Sequence, residues 1–427
     1  VRFLVLEHHF AQDIEALREA AGDALELDVI HYDSLRAEAL RVLPAEVASG
    51  LEAFARPELE AARRRYGAIL REILEDRFSA RPFDAVLLPS DTFFYVRAAP
   101  AVAHALGVPL LVAQKETTIS EHSLREHAEL VRRHAPPLAD LMTVCSERHK
   151  RFWVRAGAAA ERIVVTGQPR FDFYSRLRDA PTRAGGAPGR EEQASAGKPS
   201  ALFLSYAVDA YHPSEGGGEA TWGELRRQTE EGLRELVRRG WRVLVKPHPQ
   251  QPLDGSGGGM IELDPQADVR PLIAAADVVV GFQSTAMLEA MLAGRPVLYT
   301  AWDGAAQGLD DQLIPFHRWE REIAVVRRAA DLPDAAVAAR ASTCPPDVLR
   351  RRREIAERYL GPLDGFAAER TVAALVQEAD RWARGRGAPE RRLRARLAQR
   401  RTPLRIGRRS RAWARSARRR AGAMLGR

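Results

Sequence analysis

Cysteines, long apolar runs and metal-ligand clusters are what this 427-residue chain has least of. Two cysteines, Cys145 and Cys344, can frame neither a disulfide scaffold nor a zinc set, and their scarcity suits a reducing compartment. Both read as inert. No run of about 18 apolar residues exists, so no membrane-spanning helix is expected. The opening Val1-Arg-Phe-Leu-Val-Leu6 is too short for a signal-peptide core and reads as a first strand. A cytoplasmic location is therefore the expectation. Acidic residues are scarce in one place only: residues 381–427 hold 18 Arg and a single Glu, net +17. Since the whole chain carries +8, the first 380 residues carry −9, and the basicity belongs to a tail rather than to the body. The high charge is then no evidence for a nucleic-acid-binding body.

What is present is a long chain with 45% apolar residues, enough to build more than one core. Apolar strands alternate with helical patterns, which points to an α/β protein with doubly wound parallel sheets. Residues 1–178 read as a first Rossmann-like domain, with strands near Phe3–Leu6, Leu27–His31, Phe83–Leu88, Pro109–Ala113, Leu141–Cys145 and Ile163–Thr166. A long charged helix is expected over about 45–79, ended by Pro82. Residues 179–199, rich in Ala, Gly, Pro and charge, read as a linker. Residues 200–365 read as a second Rossmann-like domain, 366–380 as a helix crossing back to the first, and 381–427 as the Arg-rich tail.

The chemistry concentrates in two stretches of the second domain. Residues 276–300 read as strand, Gly-containing turn, helix and strand, with Ser284 and Thr285 at the helix start. That is where an open α/β sheet binds ligands and where a helix N-terminus favours an anion. Ser284 is equally what a plain helix cap would require. Upstream, the strand Trp241–Val245 ends in Lys246-Pro-His-Pro249, which sets a cation and an imidazole at another strand's carboxyl end. The two prolines stiffen the turn around His248.

These stretches, with Val164-Val-Thr-Gly-Gln-Pro-Arg-Phe-Asp172 and Asp364-Gly-Phe-Ala-Ala-Glu-Arg370, resemble the donor-binding half of the GT-B glycosyltransferase superfamily. The resemblance is nearest to bacterial CDP-glycerol glycerophosphotransferases and capsule sialyl- and Kdo-transferases, and more distant to UDP-N-acetylglucosamine 2-epimerases. It implies two domains facing a cleft. It also implies transfer of a glycosyl or glycerophosphoryl group, without a cofactor, from a nucleotide-activated donor to an envelope glycan or lipid-linked acceptor. The residues themselves, with fixed positive groups and no metal motif, point to transfer that is metal-independent. The alternatives are a UDP-sugar 2-epimerase, or a nucleotide-sugar-binding protein without activity.

Lys246, His248, Gln283, Ser284, Thr285 and Glu289 are the donor-binding candidates; Glu289, one turn deeper on the helix, would by resemblance accept from the donor's ribose. Asp303 is a weaker one. No DxD run or Cys/His cluster suggests a metal. Gly281-Phe-Gln283 stands where glycerophosphotransferases often have an acidic residue and more hydroxyls, a departure that counts against CDP-glycerol. The acceptor's proton needs a base on the first domain, and the candidates are Glu116, then Asp91, then His8 or its neighbour His9. Arg170 and Asp172 read as structural groups at the domain junction, paired with each other. The tail's sparse apolar stripe among arginines is shared by membrane-surface, nucleic-acid-binding and merely solvated segments. The resemblance favours an anionic membrane surface on the inner face of the plasma membrane, without specific nucleic-acid binding.

Overall fold

A computed structural model of the chain describes residues 1–7, 10–115, 120–179, 197–205, 219–248, 257–301 and 314–385. Glu116, His8, His9, Asp303, most of the linker and the tail beyond Gly385 lie outside the described residues.

Two six-stranded sheets form, each parallel at every pairing. The first contains β1 (Arg2–Glu7), β2 (Glu26–His31), β3 (Ala85–Leu88), β4 (Leu110–Ala113), β5 (Leu141–Val144) and β6 (Ile163–Val165), in the order β2-β1-β3-β4-β5-β6. The second contains β7 (Ser200–Leu204), β8 (Arg242–Lys246), β9 (Ile261–Glu262), β10 (Val278–Gly281), β11 (Val297–Thr300) and β12 (Ala324–Val326), in the order β12-β11-β10-β7-β8-β9. The central strands are mostly apolar because helices cover both faces: every residue of β3, β4, β5, β7, β10 and β11 is buried, Thr143, Ser200 and Thr300 being the polar ones. Each such Val, Leu or Phe contributes roughly 1.5–3 kcal/mol by leaving water.

The order of each sheet reverses beside its first strand, between β1 and β3 in one and between β7 and β10 in the other. At such a switch point the connecting helices leave to opposite faces and open a crevice at the carboxyl ends of the strands. The residues following β1, β7, β8 and β10 are therefore placed for a ligand before any side chain is considered.

The chain returns to the first lobe at its end. The Ala367–Gly385 helix puts Leu375 and Ala379 into the core formed by Phe3, Leu17 and Leu141. Its first turn is capped from a distance: the Asp172 carboxylate accepts from the backbone N–H of Ala367 (3.0 Å) and Ala368 (2.8 Å). Just before it, Gly361 has φ 86°, and a Cβ there would run into the Cys145 carbonyl, so this junction admits only glycine. The helix extends past residue 380 to Gly385, and Trp382 stacks on His104 with ring centroids 5.2 Å apart. Trp382 thus belongs to the body rather than to the tail.

The long helix expected from about residue 45 begins only at Glu60. Before it the chain makes short turns at Ala45–Ser49, Leu51–Ala55 and Pro57–Leu59, broken by Gly50 and by Pro57, whose ring blocks continuous helix. Those turns build one wall of a cavity described below.

Candidate functional site

A cavity of about 600 Å³ lies between the lobes, at the carboxyl ends of both sheets. From the second lobe its wall includes Ser205, Lys246, His248, Ser284, Thr285 and Glu289. The first lobe contributes Glu7, Asp13, His31, Tyr32, Lys115 and Arg170.

The second-lobe wall follows directly from the strand order. β7 lies between β8 and β10, so the turn with His248 and the turn with Ser284 flank Ser205, two strand spacings or about 10 Å apart. His248 is half-buried. Ser284 has extended backbone (φ −149°, ψ 139°), and its hydroxyl accepts from the Ala286 N–H at 3.2 Å, which starts the Thr285–Leu292 helix at the cavity. Ser284 therefore caps the helix and lines the cavity at once. The imidazole, the hydroxyls and the positive end of the helix form a wall suited to a phosphate or diphosphate.

Lys246 faces the same space, but its ammonium donates to the carbonyl oxygens of Pro247 (2.9 Å) and Pro265 (2.7 Å). Burial lowers its pKa, against the pull of Asp264 and Asp268. It ties the His248 turn to the 264–268 segment, leaving one of its three donors for a ligand.

Glu289, buried, accepts from the Tyr174 hydroxyl at 2.8 Å and lies 4.0 Å from the Arg170 guanidinium. Burial, and then the Glu289 charge, push the Tyr174 pKa well above its ordinary value, so it remains a donor. Arg170 lies 3.6 Å from Asp13, whose other oxygen accepts from the Gln168 amide (2.8 Å) and the Arg170 N–H (3.1 Å). A buried guanidinium between two buried carboxylates thus joins the lobes at the base of the cleft. Arg170 and Asp172 turn to separate partners, one to the cleft and one to the last helix, instead of pairing with each other. Nearer the mouth, Gln12 donates to Asp268 (2.9 Å) and Arg270 to Glu15 (3.2 Å), across the gap between lobes.

Two sequence-based candidates do not reach this cavity. Gln283 is buried: its amide N–H₂ donates to the Tyr299 hydroxyl (3.0 Å) and the Ile314 carbonyl (2.9 Å), and its carbonyl accepts from the Ile314 N–H (2.9 Å). The amide holds the 314 segment against β11 and is not free to meet a donor. Asp91 is fully buried, and one of its oxygens accepts from the backbone of Leu138 and Ala139. It ties the end of β3 to the start of β5, a structural duty incompatible with taking a proton from an acceptor in the cleft.

Burial raises the Asp91 pKa, against the Leu138 and Ala139 amides and Arg97, which lower it. A carboxyl raised in the folded state binds its proton more tightly there than when unfolded. Its share of stability is full at acid pH and is lost as pH climbs from about 4 through the raised value. Asp91→Asn should keep the two amide bonds and remove that decline. Urea midpoints over a pH series would check this, and an unchanged pH slope in the variant would contradict it.

The sequence reading missed the first-lobe groups. Glu7 and His31 are register partners at the ends of β1 and β2, with His31 Nδ1 3.3 Å from Glu7 Oε2. The other Glu7 oxygen accepts from the Phe10 N–H at 2.9 Å, which fixes the carboxylate. A carboxylate-oriented imidazole opposite a phosphate wall can act as a general base. Asp13 had one signal: an acidic residue next to Ile14 and Leu17 on the buried face of the Ala11–Ala21 helix. Among the described residues no group of three His, Cys, Asp or Glu could hold a metal, and no helix is long and apolar enough to cross a membrane.

Two parallel Rossmann-like sheets, a cleft between their carboxyl ends and a final helix returning to the first lobe decide the architecture. The fold is GT-B. No protein-family model matches the chain, and no curated protein matches it. Among solved structures it is similar to S. aureus MnaA in complex with UDP, at 14% identity and TM-score 0.51, covering 89% of this chain and 97% of that one. A UDP-N-acetylglucosamine 2-epimerase matches at 15% and 0.51, over 89% and 96%. The UDP-GlcNAc 2-epimerase of Methanocaldococcus jannaschii matches at 14% and 0.50, over 88% and 99%. At such identities the likeness establishes the GT-B fold and nothing finer.

Proposed function

We propose that this GT-B chain is an enzyme acting on a nucleotide-activated sugar bound in the interlobe cleft. The observation that carries this is the meeting of His248 with the start of the Thr285–Leu292 helix in one cavity wall, opposite the first lobe. In such a donor the bond between the sugar's anomeric carbon and the phosphate oxygen breaks, and the electron pair leaves with the phosphate. The rate then depends on preorganised donors around that oxygen, where charge builds up. His248 and the helix tip supply them, and Glu289, held by Tyr174, faces the same space as an acceptor for sugar or ribose hydroxyls.

Two of these solved neighbours are UDP-GlcNAc 2-epimerases and a third holds UDP, which favours epimerisation of a UDP-sugar as the fate of the cleaved donor. Epimerisation needs a proton removed from the ring carbon beside the anomeric centre as the nucleotide leaves, and a proton returned to that carbon's other face as the nucleotide bonds the anomeric carbon again. The Glu7–His31 pair lines the cavity as an acid–base group. A second reading, transfer to an acceptor, is favoured by a second cavity that shares Tyr32, Asp33 and Gln266 with the cleft. In transfer the acceptor's oxygen bonds the anomeric carbon and its proton passes to the first-lobe base. Transfer of glycerophosphate or assembly of an envelope polymer has no support beyond the sequence resemblance.

Thermal-shift screening against UDP, CDP, CMP and GDP and their sugars, followed by NMR of the sugar with no acceptor present, tests the proposal. A nucleotide that binds only the folded chain raises its melting temperature, by linkage. UDP and a UDP-sugar should give the largest shift, and epimerisation should change the sugar without an acceptor. No shift with any nucleotide would overturn the proposal.

A further inference from the structure

The second cavity, about 500 Å³, shares Tyr32, Asp33 and Gln266 with the first. Its lining is aromatic. Phe93 lies parallel to Tyr95, with centroids 5.6 Å apart and 3° between planes. Phe94 meets Tyr95 edge-on at 5.2 Å, and Phe54 reaches Phe94 at 6.4 Å from the 51–55 turn. This shelf is fixed from beneath, because the buried Tyr66 hydroxyl donates to the Tyr95 carbonyl at 2.6 Å. Tyr95 itself is buried, whereas Phe54, Phe93 and Phe94 are only half-buried and line open space. Asp33 and Arg36 stand exposed at the rim.

We infer that this cavity is a subsite for a sugar ring of a second substrate, bound beside the nucleotide sugar. A pyranose presents polarised C–H bonds on one face and hydroxyls around its edge. The C–H face is attracted to the negative face of an aromatic ring, and the edge requires donors and acceptors. The fixed phenyl shelf meets the first need, and Asp33, Arg36 and the Gln266 amide meet the second. A phosphate-bearing ligand fits less well, because the rim pairs one carboxylate with one guanidinium and has no surplus of positive charge. Tyr32 and Asp33, directly after His31, line both cavities, so the second cavity is a neighbour of the wall that carries the Glu7–His31 pair. This placement rests on the nucleotide-sugar reading of the cleft. A sugar bound there would make transfer, rather than epimerisation, the use to which the cleft is put.

Saturation-transfer NMR on the full chain tests it. The probes are the methyl glycosides of glucose, galactose and N-acetylglucosamine, with decyl phosphate as the lipid comparison, each with and without saturating UDP. At least one glycoside should bind through its ring C–H protons. Phe93→Leu and Phe94→Leu, which keep an apolar side chain but lose the π face, should each weaken it by about two- to tenfold. Phe94→Tyr should retain binding, and the UDP affinity should be the same in all. Should a leucine variant fail to fold, Arg36→Ala on the exposed rim gives the same readout. Absence of glycoside binding, indifference to all these variants, or preference for decyl phosphate would each overturn the inference. Loss of UDP binding alone, with the glycoside still bound, would instead strike the nucleotide reading of the cleft.

Discussion

His248→Ala should lower turnover by about two to three orders of magnitude, the usual cost of removing one preorganised donor from a developing negative charge. Stability should change little, by about 1 kcal/mol at most, because the side chain is half-buried in a cavity wall and fills no core. The turn itself is held by other means. Pro247 fixes the backbone before the histidine, and Lys246 binds the carbonyl oxygens of Pro247 and Pro265. Loss of an interaction made to the leaving phosphate should appear in kcat and kcat/KM alike. An unfolded variant, or one whose nucleotide affinity and turnover both match the parent, would mean that the imidazole serves the architecture alone.

Arg170→Met should be the most damaging single change to stability, costing about 3–5 kcal/mol. Methionine can replace the bulk of the stem but leaves two carboxylates, Asp13 and Glu289, buried at the base of the cleft without their cation. At these separations, 3.6 and 4.0 Å, each pairing is worth several kcal/mol before desolvation is subtracted, so removing one partner costs far more than removing both. Adding Asp13→Asn to Arg170→Met should therefore recover part of the loss, a coupling that a double-mutant cycle in urea would read. Glu289 should also lose its orientation, so residual activity at a permissive temperature should fall further than His248 alone explains. A loss under about 1 kcal/mol, with no coupling to Asp13, would show that the guanidinium is not what joins the lobes.

The parts of this molecule that local sequence could disclose were those decided within a few residues. Parallel strands buried on both faces must be apolar, so β3, β4, β5, β10 and β11 announced themselves. The edge strands β9 and β12 are only two and three residues long, too short to show a pattern, and were not foreseen. His248 and Ser284 were legible because a strand end and the turn after it are contiguous in the chain. Gln283 was misread because its partner, Ile314, sits 31 residues away and nothing beside it shows which way the amide turns. Asp91 looked catalytic for the same reason: a carboxylate at a strand end reads alike whether it meets a substrate or the amides of Leu138 and Ala139. The Arg170–Asp13 contact joins residues 157 positions apart, and the aromatic shelf joins the 51–55 turn to residues 93–95. Such pairs exist only once the first sheet has formed. Glu116, His8 and the tail lie outside the described residues, and their expected roles stand as proposals.

A crystal structure of the chain with UDP bound tests most directly whether imidazole and helix tip serve one phosphate. The terminal phosphate should lie within hydrogen-bond reach of His248 on one side and of the Ser284–Ala286 segment on the other, with the ribose toward Glu289. A nucleotide seated elsewhere, or a phosphate held by first-lobe groups and out of reach of His248, would contradict it.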